Sequence, residues 1–245
     1  MENQEKNKST KSFKKKLIII VICGFIIGLI IGWINANYAR IGGALAKPVI
    51  YIYNTNINSS DIDITINKEK LSFEYPYRTN NWWYVKTNNN GIIVYPNKND
   101  RNKNINGKEY NYLFWEDISK DFPYSFDEGF CIKGKDTRYF LENTLYKLGM
   151  NSKEINEFIV YWLPKMENNK YNVISFQTDN YNKSYPLIIK PNADNVLRVF
   201  MAFYPSNNYI NIKEQSLDKV KNNFERDGLY IVEWGGSELD ERYHK

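Results

Sequence analysis

The sequence predicts an α+β fold: mainly antiparallel β-sheet with an inserted helical hairpin, preceded by one transmembrane helix. Three patterns carry that reading. An uncharged apolar run covers Leu17 to Ile34, β-branched and alternating segments fill much of 47–116 and 171–234, and helical spacing of apolar residues occupies the stretch between Gly134 and Pro164. Strands, then a helix pair, then strands again are expected of a sheet with its helices segregated to one side.

Six lysines (Lys6, Lys8, Lys11, Lys14, Lys15, Lys16) precede the apolar run. A helix rises 1.5 Å per residue, so about 18 residues cover about 27 Å, close to one hydrocarbon core. Basic flanks stay in the cytoplasm. Residues 1–16 are therefore read as a cytoplasmic tail meeting the anionic lipid bilayer, 17–34 as the span, 35–46 as a juxtamembrane linker with Gly42 and Gly43 as its flexible point, and 47–245 as an extracytoplasmic domain. Trp33 and Tyr38 suit the outer interface, and Gly24, Gly28 and Gly32 form a small-residue ridge. A cleaved signal peptide ending at Ala44-Leu45-Ala46 competes with this. The apolar run exceeds an h-region of about 7–15 residues and ends well before that site, which favours an uncleaved, single-pass anchor in a bacterial cell membrane. Val21 and Ile22 before Cys23 do not fit a lipoprotein signal.

Beyond the linker, Val49 to Tyr53 is a dense β-branched and aromatic strand. Ile62, Ile64 and Ile66 alternate with Asp61, Asp63 and Thr65, which predicts a strand with one wet face. Trp82 to Thr87 and Gly91 to Tyr95 flank Asn88-Asn89-Asn90-Gly91, a hairpin signal because Asn and Gly tolerate positive φ. Asn106-Gly107 repeats the device before a strand from Tyr110 to Glu116. Asp136 is positioned to cap a helix whose Phe140, Leu141, Leu145 and Leu148 share a face, with Gly149 at its end. Asn151 and Glu154 then make a capping box ahead of Ile155, Phe158, Ile159 and Trp162, and the pair ends near Pro164. Strands follow at Tyr171 to Gln177, Leu187 to Lys190 and Val196 to Phe203. A short helix with Leu217, Val220 and Phe224 precedes a last strand, Leu229 to Trp234.

Charge and inventory exclude several functions. The tail's six lysines against Glu2 and Glu5 hold +4 of the formal +5, so the remainder of the chain carries about +1 and offers no footprint for nucleic acid. Cys131 is the only cysteine after the apolar run, which rules out a disulfide within the extracytoplasmic part. The single histidine, His244, sits at the C-terminus, so a Ser-His-Asp or Cys-His site or a His-ligated zinc would have to be built from a chain end. No phosphate loop, dinucleotide fingerprint or EF-hand string is present, so no cofactor is implied. No metal site is expected either, because Asp61 and Asp63 alternate as a strand's hydrated side does. The acceptor strings at Asn58 and Asn182 arise readily in an Asn-rich composition.

Carboxylates and aromatics remain. Glu116 and Glu233 adjoin aromatics, and two carboxylates beside ring platforms are what glycoside hydrolysis requires; they are the weak candidates for catalysis. Burial cost argues otherwise. Arg198, bounded by Leu197, Val199 and Phe200 in a strand, would need a partner, so a structural ion pair of Arg198 with Glu116 or Glu233 is preferred. Glu157 lies about 160–200° around its helix from the apolar stripe and reads as solvated. Trp82, Trp83 and Tyr84 are consecutive in a strand, so they cannot share one core, and at least one ring is left to stack on a sugar or anchor a protein.

The strings Lys47-Pro48-Val49-Ile50-Tyr51-Ile52-Tyr53, Tyr112-Leu113-Phe114-Trp115-Glu116, Glu157-Phe158-Ile159-Val160-Tyr161-Trp162-Leu163-Pro164, Arg198-Val199-Phe200-Met201 and Val232-Glu233-Trp234-Gly235-Gly236 resemble a family of uncharacterised bacterial and fungal proteins. Its members open with a KPVIYLYP-like segment and close with VEWGG; this chain has Asn54 where the opening motif ends in Pro. The resemblance implies one domain starting near Lys47 behind an export or anchoring segment, and it brings no activity. The expectation is a binding module for a cell-envelope glycan or protein, leaning away from an enzyme, with an extracytoplasmic glycoside hydrolase using Glu116 and Glu233 as the alternative and oligomeric state open.

Overall fold

A computed structural model describes residues 22, 24–30, 32, 46–56, 61–68, 71–88, 91–103, 106–118 and 122–240. The chain divides into two units, Met1–Ile41 and Gly42–Lys245. In the first, helical backbone is described at 22, 24–30 and 32, with exposed side chains. Among the described residues no helix is long and apolar enough to cross a membrane, which corrects the expected transmembrane helix at 17–34. The basic tail 1–16, the rest of the apolar run, the linker to residue 45, Asn58 and His244 lie outside the described residues.

The second unit is α+β. Its strands in chain order are β1 (Ala46–Asn54), β2 (Asp61–Ile66), β3 (Phe73–Tyr75), β4 (Trp83–Asn88), β5 (Gly91–Tyr95), β6 (Lys108–Tyr110), β7 (Leu113–Glu116), β8 (Glu128–Lys133), β9 (Tyr171–Phe176), β10 (Leu187–Lys190), β11 (Asn195–Ser206), β12 (Lys213–Glu214) and β13 (Leu229–Glu238). The helices are α1 (Thr137–Leu148), α2 (Ser152–Met166), α3 (Thr178–Ser184) and α4 (Leu217–Lys221). One sheet has eight strands in the order β12-β8-β9-β11-β13-β1-β7-β3, and the other has five, β10-β2-β4-β5-β6. Pairing is mostly antiparallel, with β11 parallel to β13 and β12 parallel to β8.

Three layers follow from the side-chain alternation. Val49 and Tyr51 of β1, Leu197 and Val199 of β11 and Val232 and Trp234 of β13 face the helices, where Leu145 of α1 and Phe158 and Trp162 of α2 meet them. The intervening residues Ile50, Ile52, Phe200 and Ile231 face Ile62, Ile64, Trp83 and Val85 of the five-stranded sheet. Central strands covered on both faces are expected to be largely apolar, which explains the hydrophobic runs of β11 and β13, broken at the paired charges Arg198 and Glu233.

Several local expectations change. The wet face of β2 is covered: Asp63 and Thr65 are buried because Arg101 and Lys98, on a 3-10 turn at Lys98–Asn102, reach Asp63 at 2.8 and 2.9 Å, and Arg78 reaches Thr65 at 3.0 Å. The strand expected from Tyr110 to Glu116 is two strands in different sheets, broken at Asn111-Tyr112. Asp136 precedes α1 without a side-chain cap, since a 3-10 turn at Gly134–Asp136 leads into the helix. Gly149 ends α1 at φ +100°, and Asn151 with Glu154 forms the full capping box of α2. That helix runs on to Met166, because a proline in the last turn withdraws a single hydrogen bond. Phe224 lies beyond α4, whose end is set by Asn222 at φ +48°. Strands β3 and β8 and helix α3 carry no sequence pattern strong enough to announce them.

Candidate functional site

The expected aromatic triad is split by the sheet. Trp83 is 1% exposed and donates from Nε1 to the Pro76 carbonyl at 2.5 Å, so it is a core residue. Trp82 and Tyr84 point outward and are half-buried under cations, Lys190 Nζ at 4.8 Å and Arg101 Cζ at 5.8 Å from the respective ring centroids. One face of each ring is thereby occupied by the chain itself.

The two candidate carboxylates also fall on opposite faces. Glu233 is fully buried between the sheets, paired with Arg198 Nε, and accepts from Trp115 Nε1 and Tyr181 OH, both at 2.8 Å. Arg198 turns Nη1 to the Tyr185 carbonyl at 2.7 Å and Asn182 Oδ1 at 3.0 Å. Burial pulls its guanidinium down, and the Glu233 charge more than offsets this, holding it above the ordinary value. Tyr181 is pushed well up, by burial first and by Glu233 second. Glu116 follows Trp115 on β7, so its side chain emerges on the helix face beside Phe114. A sheet lies between Glu116 and Glu233, and a sugar bond cannot be flanked by both. For the same reason Glu116 is not part of the Arg198 pair.

What the structure does bring together is a tyrosine-lined trough. Helix α2 covers the middle of the eight-stranded sheet and β1, where Val49 and Tyr51 are buried, while the edge strand β3 stays open. Register places Val49 opposite Phe114 and Phe114 opposite Tyr75, so Tyr51, Tyr112, Phe114, Glu116, Phe73 and Tyr75 share the helix side of β1-β7-β3, with Tyr51 buried and exposure rising toward the edge. Phe73 and Tyr75 on the edge strand are 46% and 54% exposed. The α2 wall opposite carries Lys153, Glu157 and Tyr161.

Local chain geometry builds the floor. The chain leaves the five-stranded sheet at Tyr110 and enters the other at Leu113, so Asn111 and Tyr112 bridge the layers. Two cavities of about 410 and 400 Å³ adjoin there, sharing Gly91 and Asn111; the first holds Tyr75, Tyr110 and Tyr112, the second Tyr51, Tyr53, Tyr230, Asn151 and Lys153. A Cβ on Gly91 would lie 2.6 Å from the Tyr110 carbonyl, so only glycine lets the hairpin close against this floor. The rings are edge-packed or stacked: Tyr51 on Tyr112 at 5.4 Å, Tyr75 on Tyr110 at 5.6 Å and Tyr53 on Tyr230 at 4.9 Å.

Ion pairs behind the rings hold them. Tyr53 OH donates to Glu154 at 2.7 Å, and the same carboxylate pairs with Arg226, which lies under the Tyr53 and Tyr230 rings. Tyr51 OH donates to Glu157. Burial, and then the neighbouring carboxylate, raises the phenols of Tyr51, Tyr53 and Tyr112, so these hydroxyls stay protonated donors at neutral pH. Glu157 is therefore half-buried and engaged, not solvated as its helical angle predicts.

A roomier cleft of about 540 Å³ lies near Gln177 and Asp179, where several of the polar groups are spent on the fold. Gln177 is tied to the Ser125 backbone, Gln215 to Phe176, and Glu128 to Lys213. Among the described residues no group of His, Cys, Asp and Glu is arranged to hold a metal ion. Sequence reasoning missed Tyr53, Tyr75, Tyr110, Tyr112 and Tyr230; the period-two tyrosine pairs 51/53 and 110/112 were the available signal. Comparison with protein-family models, with curated proteins and with solved structures gives no match to this chain.

Proposed function

We propose that the Gly42–Lys245 unit is a binding module for a cell-envelope glycan, with the tyrosine trough as its site. The single observation carrying this is the pair of adjoining cavities at the Asn111-Tyr112 crossing, lined by the rings of Tyr53, Tyr75, Tyr110 and Tyr112 and edged by amides and charged side chains. A pyranose presents C–H faces that pack on aromatic faces and hydroxyl edges that need donors and acceptors. Phenol hydroxyls, Asn111, Asn151 and Lys153 supply the latter. Binding without turnover is the reading, since the sheet separates Glu116 from Glu233.

A glycan array with the full chain tests it, followed by calorimetry on the best ligand. Losing one stacking ring is worth about 1–2 kcal/mol, so Tyr112→Ala and Tyr75→Ala should each weaken binding roughly five- to thirtyfold. Trp82→Ala and Tyr84→Ala should leave it unchanged. No glycan bound, or binding lost only with Trp82, overturns the assignment.

A further inference from the structure

Resting on the trough as a glycan site, we infer that it takes two consecutive sugar units, one in each cavity, with their linkage over Asn111. The shortest ligand it holds firmly is then a disaccharide. The two cavities meet at Gly91 and Asn111. Glycine brings no side chain to that boundary, and the Asn111 side chain is exposed there. At about 410 and 400 Å³, each cavity stands near the lower end of the range of about 300–1,000 Å³ for small-ligand sites, room for one ring with its hydroxyls and some water.

The side-chain donors are distributed to match. Most of those lining the cavities are committed to the chain itself. Tyr51 OH donates to Glu157 and Tyr53 OH to Glu154, Asn151 closes the capping box of α2, and Thr55 donates to Asp227. The hydroxyls of Tyr75 and Tyr110 are turned to each other, and that of Tyr230 to Arg226. Tyr112 OH, the Asn111 amide and Lys153 Nζ differ: among the described residues none of them has a hydrogen-bond or ion-pair partner. Tyr112 lines the first cavity, Lys153 the second, and Asn111 both. One uncommitted donor thus stands in each compartment and another on the boundary. Each compartment also has its own rings, Tyr75, Tyr110 and Tyr112 in the first, and Tyr53 and Tyr230 stacked at 4.9 Å in the second. A sugar unit needs an aromatic face for its C–H side and polar groups for its hydroxyl edge. The boundary amide donates and accepts at once, so it serves one unit on either side. Once the first unit is seated, a linked second one enters without losing its translational and rotational freedom again.

The test is calorimetry on the full chain with N-acetylglucosamine and its β-linked dimer and trimer, and with the matching one-, two- and three-sugar fragments of the strongest glycan on the array. In the series that binds, the second unit should tighten binding about thirtyfold, as one stacked ring and one hydrogen bond do, and the third less than about threefold. Asn111→Ala, at an exposed side chain, should cut the dimer's advantage over the single sugar to about fivefold or less, with the melting temperature unchanged. Tyr112→Phe and Lys153→Met should each weaken the dimer about threefold to tenfold. A single sugar bound within about threefold of the dimer, or an equal further gain at the trimer, overturns the two-unit inference while the glycan site stands. A dimer unaffected by Tyr112→Phe or by Lys153→Met overturns it too, because one cavity is then empty. No binding in either series and an empty array remove both readings together.

Discussion

Replacing Arg198 with Met should leave the Glu233 carboxyl group without its cation between two sheets, with only Trp115 Nε1 and Tyr181 OH as partners. Both members of the pair are at least 95% buried, and three guanidinium bonds disappear at once, to Glu233, Tyr185 and Asn182. Orphaning one partner of such a pair costs about 3–5 kcal/mol. For a unit of this size each kcal/mol moves the melting temperature by about 2–4 °C, so a fall of about 6–20 °C is expected. Glu233→Gln keeps the shape and an acceptor for Trp115 but strands the guanidinium, and should cost a similar amount. The double variant carries neither charge. Its loss should be smaller than the sum of the singles by about 2 kcal/mol, the range in which contacting groups couple. Urea unfolding followed by tryptophan fluorescence reads all four proteins, with Trp115 reporting from inside the site. Single losses below about 1 kcal/mol, or strict additivity, would refute the account of a charge pair enforced by burial.

Alkali should destabilise the unit. Tyr51, Tyr53 and Tyr181 are raised and Tyr204 is pushed up to about 12, so above about pH 10 the unfolded chain has released protons that the folded one still holds. Stability is then full below about pH 10 and falls above it, visible as a declining urea midpoint; a flat profile to pH 11 would contradict the burial of these phenols. Asn151→Ala removes the capping box of α2 and should cost about 1 kcal/mol in the same assay. Gly236→Ala would place a Cβ 2.3 Å from the Met201 carbonyl and 2.8 Å from Trp162 Cζ2, and overpacking of that kind costs about 1–3 kcal/mol, checked by calorimetric melting.

Patterns that depend on neighbours in sequence were legible. The capping box at Asn151 and Glu154, the stop at Gly149 and the hairpin register Asn88↔Gly91 follow from local backbone chemistry, and the structure has each of them. Arg198 could be read as needing a partner because a charge in a strand of apolar residues has no other way to be buried. Which carboxylate it meets depends on a parallel register, Arg198 beside Glu233, that no local signal encodes. The wet side of β2 was misjudged for a related reason: Arg101 comes from 38 residues away to cover Asp63. The apolar N-terminal run was read on hydropathy alone, and among the described residues no helix is long and apolar enough to cross a membrane. At the trough, tyrosines 51, 75 and 112 are far apart in sequence, and only the order β1-β7-β3 makes them neighbours.

The crossing at Asn111-Tyr112 gives the trough two owners. Tyr110 and Gly91 belong to the smaller sheet and Tyr51 and Tyr75 to the larger, with Tyr112 in the crossing between them. Any sliding of one layer over the other alters the width between these rings. A molecule lodged there would fasten the layers like a rivet through two plates, so occupancy should be felt as slower hydrogen exchange in the remote strands β2 and β10 as well as at the rim.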